Sequence, residues 1–277
     1  MARFTVIRTT LVLGALALLG GCGSGGEEAP PAVGSPVGVW VGSSSNGRNV
    51  FGAVMEDGSY TFINSLRTTR MLVGGATIGT YQVTPSGFTG SDLRDFSIDD
   101  VTRLDGSVTG SYQEGQSLNA TMALNVGGGA SVQLVPVNTM KDASDVALVA
   151  GVYPGRETGS AYLGSWIEVA VDGTLSFHGQ MGSSGPFWLV GHCLDQTTGR
   201  LTPRQRGHVY DLTITDTCGI GAPVKTYRGV AIYLPEAQRL GFFAVDGDRV
   251  SGLLYNGIKC LNVEAALANL CWYPFDK

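Results

Sequence analysis

The sequence is poor in charge, in histidine and in long apolar runs. Only 15% of its 277 residues are charged, 18 basic against 23 acidic, for a formal net charge of −5. A mildly acidic chain has no electrostatic footprint for nucleic acid, and 43% hydrophobic content separates it from disordered proteins. The apolar run from Leu11 to Leu19 is nine residues long, whereas a helix needs roughly 20 to cross a bilayer. Nothing downstream approaches that length.

The usual catalytic signatures are also missing. Gly182-Ser183-Ser184-Gly185 contains serines but no Gly-x-Ser-x-Gly elbow, and reads as a loop. The only histidines are His178, His192 and His208, and no Cys-x-x-Cys or His-x-x-x-His spacing accompanies them. Gly127-Gly128-Gly129 lacks the lysine and helix of a phosphate loop. Asp92, Asp95, Asp99, Asp100 and Asp105, interspersed with Arg94 and Arg103, could supply a carboxylate pair for glycoside hydrolysis. A solvated, ion-paired strand edge accounts for them more simply. The expectation is a non-enzymatic protein without cofactor or metal.

What is present begins at the N-terminus. Arg3 and Arg8, the short apolar run and a small-residue boundary have the layout of a secretory signal peptide over residues 1–21. Leu19-Gly20-Gly21-Cys22 resembles the bacterial lipobox, which implies that Cys22 is lipidated and becomes the mature N-terminus. Glycine and not aspartate at position 23 implies, by the same resemblance, the outer membrane. Residues 22–36, rich in glycine, serine and proline, read as a flexible tether.

Four further cysteines, Cys193, Cys218, Cys260 and Cys271, lie in the last third of the chain. In an exported protein an even number suggests two disulfides. Three pairings are open; the shortest loops join Cys193 to Cys218 and Cys260 to Cys271.

From Val37 to Lys259 short apolar alternations separated by turn residues predict antiparallel β-structure. In Tyr210 to Thr215, Tyr210, Leu212 and Ile214 would face a core and Asp211, Thr213 and Thr215 water. Asp57-Gly58, Asp105-Gly106, Asp172-Gly173 and Asp246-Gly247 read as hairpin turns. Gly38-Val39-Trp40 and Gly151-Val152-Tyr153, 113 residues apart, each precede a similar strand–Asp-Gly–strand pattern. The chain therefore divides into a first β module, 37–138, and a second, 147–277, joined by a connector near Asn138 to Val146 in which a short helix fits. Asn262 could cap a C-terminal helix to Asn269. Six to eight strands per module favour two small barrels or barrel-like sandwiches, an all-β fold.

Three resemblances carry functional implications. Gly38-Val39-Trp40 resembles the Gly-x-Trp that opens the first strand of lipocalins and avidins. The lipobox, tether and tandem β modules resemble surface lipoproteins of the transferrin-binding-protein type and uncharacterised proteobacterial lipoproteins. Ser251-Gly252-Leu253-Leu254-Tyr255 is similar to an element of periplasmic lysozyme inhibitors, which implies that Ser251 and Tyr255 lie at an inhibitory surface. The expectation is an envelope lipoprotein that binds a partner or supports an assembly. A hydrolase, a small-ligand carrier and a lysozyme-inhibitor-like protein are the alternatives. In Pro186-Phe187-Trp188-Leu189-Val190, neighbouring side chains point to opposite sides, so Phe187 or Trp188 faces outward. Trp166 joins the outer face with Glu168, because Ile167, Val169 and Val171 form the inward set. These rings are the candidate partner-binding residues.

Because Cys22 alone sits at the signal boundary, Cys22→Ser is expected to abolish acylation and release the protein from membranes. Intact mass and membrane fractionation check this; an unchanged mass with persistent membrane association would contradict the lipid tether.

Overall fold

The computed structural model describes residues 34–68, 73–100, 102–137, 143–154, 166–178, 197–217 and 223–260. The signal peptide, Cys22, Phe187, Trp188, Cys193, Cys218, Cys271 and the helix expected from Asn262 lie outside these residues.

The first module contains β1 (Gly38–Ser44), β2 (Asn49–Val54), β3 (Ser59–Ser65), β4 (Val73–Thr80), β5 (Gln82–Thr84), β6 (Gly87–Ser97), β7 (Thr102–Gln113), β8 (Ser117–Leu124) and β9 (Gly129–Pro136). A one-turn helix, α1 (Val146–Val149), leads into the second, with β10 (Gly151–Pro154), β11 (Trp166–Val169), β12 (Thr174–His178) and β13 (Thr197–Pro203). It continues through β14 (Val209–Asp216), β15 (Lys225–Leu234), β16 (Arg239–Val245) and β17 (Gly252–Ile258).

Every pairing is antiparallel. In the first sheet β1 pairs with β9 and β4 with β6, so eight strands close into a barrel with the short β5 attached to β6. In the second the strands follow chain order from β10 to β17. A single bridge between Val152 and Cys260, with the Cys260 amide donating to the Val152 carbonyl at 2.7 Å, nearly closes that ring. The protein is thus built of two antiparallel barrels in tandem.

The modules open alike. Trp40 and Tyr153 are fully buried, and each donates to the carbonyl four residues before it: Trp40 Nε1 to Pro36 at 2.9 Å, Tyr153 Oη to Val149 at 2.7 Å. The hairpins at Asp57-Gly58 and Asp172-Gly173 also match. Each aspartate accepts from the amide two residues on at 2.9 Å, and the glycines have φ of 80° and 88°. That left-handed conformation suits glycine. The other two Asp-Gly pairs differ from expectation. Asp105-Gly106 lies inside β7, where a Cβ on Gly106 would meet the Ala123 carbonyl oxygen at 2.3 Å, so glycine there serves strand packing. Asp246-Gly247 begins a wider loop in which Arg249, not Gly247, takes the positive φ, and Asp246 accepts from the Val250 amide. The connector helix forms at Val146, capped by Asp145, whose carboxylate accepts from the Ala147 amide at 2.9 Å.

Side-chain alternation then sorts three cores. Tyr210, Leu212 and Ile214 point into the second barrel with Tyr153, Phe177, Tyr227, Phe242 and Tyr255, as their alternation predicts. Trp40, Leu93, Leu118 and Leu134 lie in the interior of the first barrel. The third core lies between the barrels, where Val39, Phe51, Ile63, Ile78 and Phe96 of the first pack against Val209, Val230, Ile232, Phe243 and Leu254 of the second. Phe96 and Phe243 meet with ring centroids 4.8 Å apart. Strands β2 and β16, which serve an interior and the interface at once, read VFGAV and LGFFAV with almost no polar alternation. Ion pairs rim this contact: Arg204 reaches Asp57 at 3.0 Å and Arg249 reaches Asp92 at 3.4 Å.

Gly241 of β16 lets the barrels approach, since a Cβ there would sit 2.3 Å from the Phe51 ring. Gly241→Ala is expected to cost about 1–3 kcal/mol by overpacking, and clearly less in a Phe51→Leu background. Urea denaturation of the four proteins measures the coupling; equal costs in both backgrounds would sink the proposed contact.

Candidate ligand-binding cavity

The interior of the first barrel is not filled. It holds a cavity of about 200 Å³, and the strands around it supply two unlike walls. Val50 and Val54 of β2, Leu104 and Val108 of β7, Leu118, Ala120 and Met122 of β8 and Val132 of β9 make an apolar wall. Opposite them Asn64 of β3, Thr77 of β4 and Asp95 of β6, with Arg48 from the β1–β2 turn, make a polar one. At one end Tyr81 and Phe88 pack edge to face at 6.2 Å, and Tyr81 donates to the Met55 carbonyl at 3.1 Å. At the other, Asn46, Arg67, Asp100 and Gly129 are exposed and form a mouth.

Arg48 organises the polar wall. The residue is 5% exposed, and its guanidinium donates to Asn64 Oδ1 at 2.6 Å, to the Ser65 and Gly74 carbonyls at 3.2 and 3.3 Å, and to Ser97 Oγ at 3.2 Å. It also pairs with Asp99 Oδ2 at 2.9 Å. Burial lowers the Arg48 pKa, and the neighbouring Asp99 and Asp95 charges oppose that shift. Arg67 covers the mouth by pairing with Asp100 and Asp99. Asp95 stands across from Thr77 in the β4–β6 register and accepts from Thr77 Oγ1 at 2.7 Å. Desolvation pushes its pKa up, against the Thr77 hydrogen bond and the Arg48 and Arg67 charges, while Asp100 adds to the rise. Tyr60, on the same side of the barrel, has its hydroxyl buried without a hydrogen-bond partner. Burial raises its pKa.

This corrects the reading of the aspartate group as a solvated edge. Arg94–Asp105 at 3.3 Å, Arg67–Asp100 and Arg249–Asp92 fit that reading as open pairs, but Asp95 lines the barrel interior and Asp99 is held against the buried Arg48. Nothing in the spacing of the residues marks Arg48 as the partner of Asp99, because that pairing joins the β1–β2 turn to the end of β6 and not a local repeat. Among the other sequence candidates, Trp166 does share the outer face with Glu168. It is half-buried, with its ring stacked on His178 at 5.0 Å and 17°. Val171, expected inward, is 78% exposed, because β11 ends at Val169 and the turn begins. His208 is buried beside Tyr233 at the edge of the inter-barrel contact. Tyr255, expected at a surface by the lysozyme-inhibitor likeness, is 3% exposed and donates to the Tyr153 carbonyl inside the second barrel.

The fold and cavity together define a tandem-barrel protein with a cavity in its first barrel. No protein-family model, no curated protein and no solved structure matches the chain.

Two stability predictions follow from the polar wall. Arg48→Met removes the donor to Asn64 Oδ1, to the Ser65 and Gly74 carbonyls and to Ser97, and leaves Asp99 only the exposed Arg67, so it is expected to cost roughly 3–5 kcal/mol, whereas Arg94→Met at the open pair costs less than about 1 kcal/mol. Similar denaturation midpoints for the two variants would contradict the buried role of Arg48. Asp95 behaves oppositely. Its raised folded-state pKa means that the stability it confers is present below the ordinary value of 3.8 and is lost as pH rises through the folded value. Asp95→Asn should therefore be at least as stable as the parent at pH 7, with the difference fading in acid; thermal melts from pH 3 to 8 measure it.

Proposed function

We propose that the protein is an envelope-anchored, non-enzymatic binding lipoprotein whose first barrel holds a small, largely apolar molecule. The cavity, with one apolar and one polar wall and a mouth at one end, supports this reading. Eight-stranded barrels are wide enough to hold one small ligand. A void of ~150 Å³ accommodates benzene, so 200 Å³ suits a single ring or a short chain and not a long-chain lipid. The small-ligand alternative thus takes precedence over a protein-assembly role. In this proposal the second barrel, packed with Tyr153, Phe177, Tyr210, Tyr227, Phe242 and Tyr255, is a scaffold. The lipid on Cys22 and the tether hold the pair at the outer membrane. Disulfides pairing Cys193 with Cys218 and Cys260 with Cys271 would fasten the chain end beside the Val152–Cys260 seam.

Binding of a fluorescent apolar probe to the full mature chain tests the ligand reading. Ala120→Met, placed on the apolar wall, is expected to reduce probe affinity about tenfold or more while the far-ultraviolet spectrum stays unchanged, since each buried methylene occupies space that the ligand needs. Probe binding that is unaffected in Ala120→Met would place the site elsewhere.

A further inference from the structure

We infer that the cavity selects a compact apolar molecule bearing a protonated amine, with Asp95 as the counter-charge and the Tyr60 hydroxyl as a second acceptor. This inference rests on the ligand-binding reading of the first barrel and adds the chemistry of the head group.

The argument follows from which polar groups on the wall are already committed. Both terminal nitrogens of Arg48 are engaged, one with Asn64 and the Ser65 and Gly74 carbonyls, the other with Ser97 and Asp99. An anionic ligand would have to displace these partners. Arg67 is likewise paired with Asp99 and Asp100. Among the described residues Asp95 takes one hydrogen bond, from Thr77, and pairs with no cation at ion-pair distance. A carboxylate has about four acceptor positions, so most of its capacity faces the cavity. Tyr60 is 5% exposed and its oxygen has no partner.

Placement brings the two together. Tyr60 lies opposite Gly79 in the β3–β4 register, and Asp95 lies opposite Thr77 in the β4–β6 register. They are therefore two residues apart along β4, roughly 7 Å of strand rise, and stand on the strands either side of it, roughly 10 Å apart across the sheet, a gap that the Tyr60 side chain narrows by lying over Gly79. Gly79 has no side chain to separate the ring from β6, and a Cβ there would fall 2.4 Å from the Tyr60 oxygen.

Charge selects among head groups. Three carboxylates, Asp95, Asp99 and Asp100, and two guanidiniums, Arg48 and Arg67, line or flank the polar end, leaving one negative charge in excess. An ammonium group neutralises that excess and donates to both open acceptors. A hydroxyl can fill the acceptors but leaves the charge, and a carboxylate ligand doubles it. The opposite wall, from Val50 to Val132, accepts the apolar body.

The test uses three probes of one length, hexylamine, hexan-1-ol and hexanoate, titrated calorimetrically into the full mature chain carrying Cys22→Ser to remove the lipid. Hexylamine is expected to bind about tenfold or more tighter than hexan-1-ol, the scale of one charge-assisted hydrogen bond, with hexanoate weakest. Asp95→Asn should remove the preference for the amine and leave hexan-1-ol binding within about threefold of the parent. Tyr60→Phe should weaken hexylamine without reversing the ranking. Equal binding of amine and alcohol, or an unchanged ranking in folded Asp95→Asn, overturns the head-group assignment while leaving the cavity as a binding site. Binding of none of the three overturns the ligand-binding reading itself. If Asp95→Asn fails to fold, the ranking on the parent and the Tyr60→Phe result decide.

Discussion

A closed antiparallel barrel buries its inner face unaided, yet here β2, β3 and β4 of one barrel and β15, β16 and β17 of the other carry apolar side chains outside as well as inside. Those outer faces have to meet. Phe51, Ile63 and Phe96 do so against Val230, Ile232 and Phe243, and the contact makes one compact unit of the two sheets. Burial of aromatic and branched side chains at ~25 cal/mol per Å² gives such a face a large share of the folding free energy. The free side of the first barrel is then β7 to β9, where Thr109, Ser111, Asn119, Thr121, Ser131 and Gln133 face water.

Within the first barrel, closure and hollowness involve the same residues. The ring closes where β4 meets β6, and Thr77 and Asp95 pair across that seam while lining the cavity. Arg48 ties β3, β4 and the residues after β6 together at the open end. The corresponding positions of the second barrel carry the same kind of pair, Thr197 and Asp216, both buried. An inner wall that keeps a poorly solvated carboxylate and an unbonded phenol gives up stability that apolar packing would supply, the pattern expected where binding and not folding sets the residue.

Much of this architecture was legible in the sequence because it is local. Strand alternation in Tyr210 to Thr215, the paired openings at Gly38 and Gly151 and the turns at Asp57-Gly58 and Asp172-Gly173 depend on neighbours a few residues apart. Asp105-Gly106 was misread for the same reason: the dipeptide suits a turn, but a close β8 backbone placed it in a strand. Val171 illustrates the limit of alternation, which holds only as far as the strand runs. The cavity was illegible. Its polar wall joins Arg48, Asn64, Thr77 and Asp95 through strand pairing alone, and nothing in the spacing of these residues marks them as neighbours.

The matched hairpins also reveal where a third barrel would have to attach. Counting from the shared turns, Trp166 and His178 of β11 and β12 occupy the places of Phe51 and Ile63 in β2 and β3, paired in the same register. In the first barrel those places, with Ala53 between them, dock onto the following module. In the second, Glu168 stands where Ala53 does, exposed, and the imidazole of His178 replaces an aliphatic side chain. The two modules pack head to tail, through different strands of each, a geometry that on its own could extend into an open-ended row. A carboxylate and an imidazole on this face, and the hydroxyl-rich face of β7 to β9 on the other side, present polar groups where the contact between the two barrels has apolar ones.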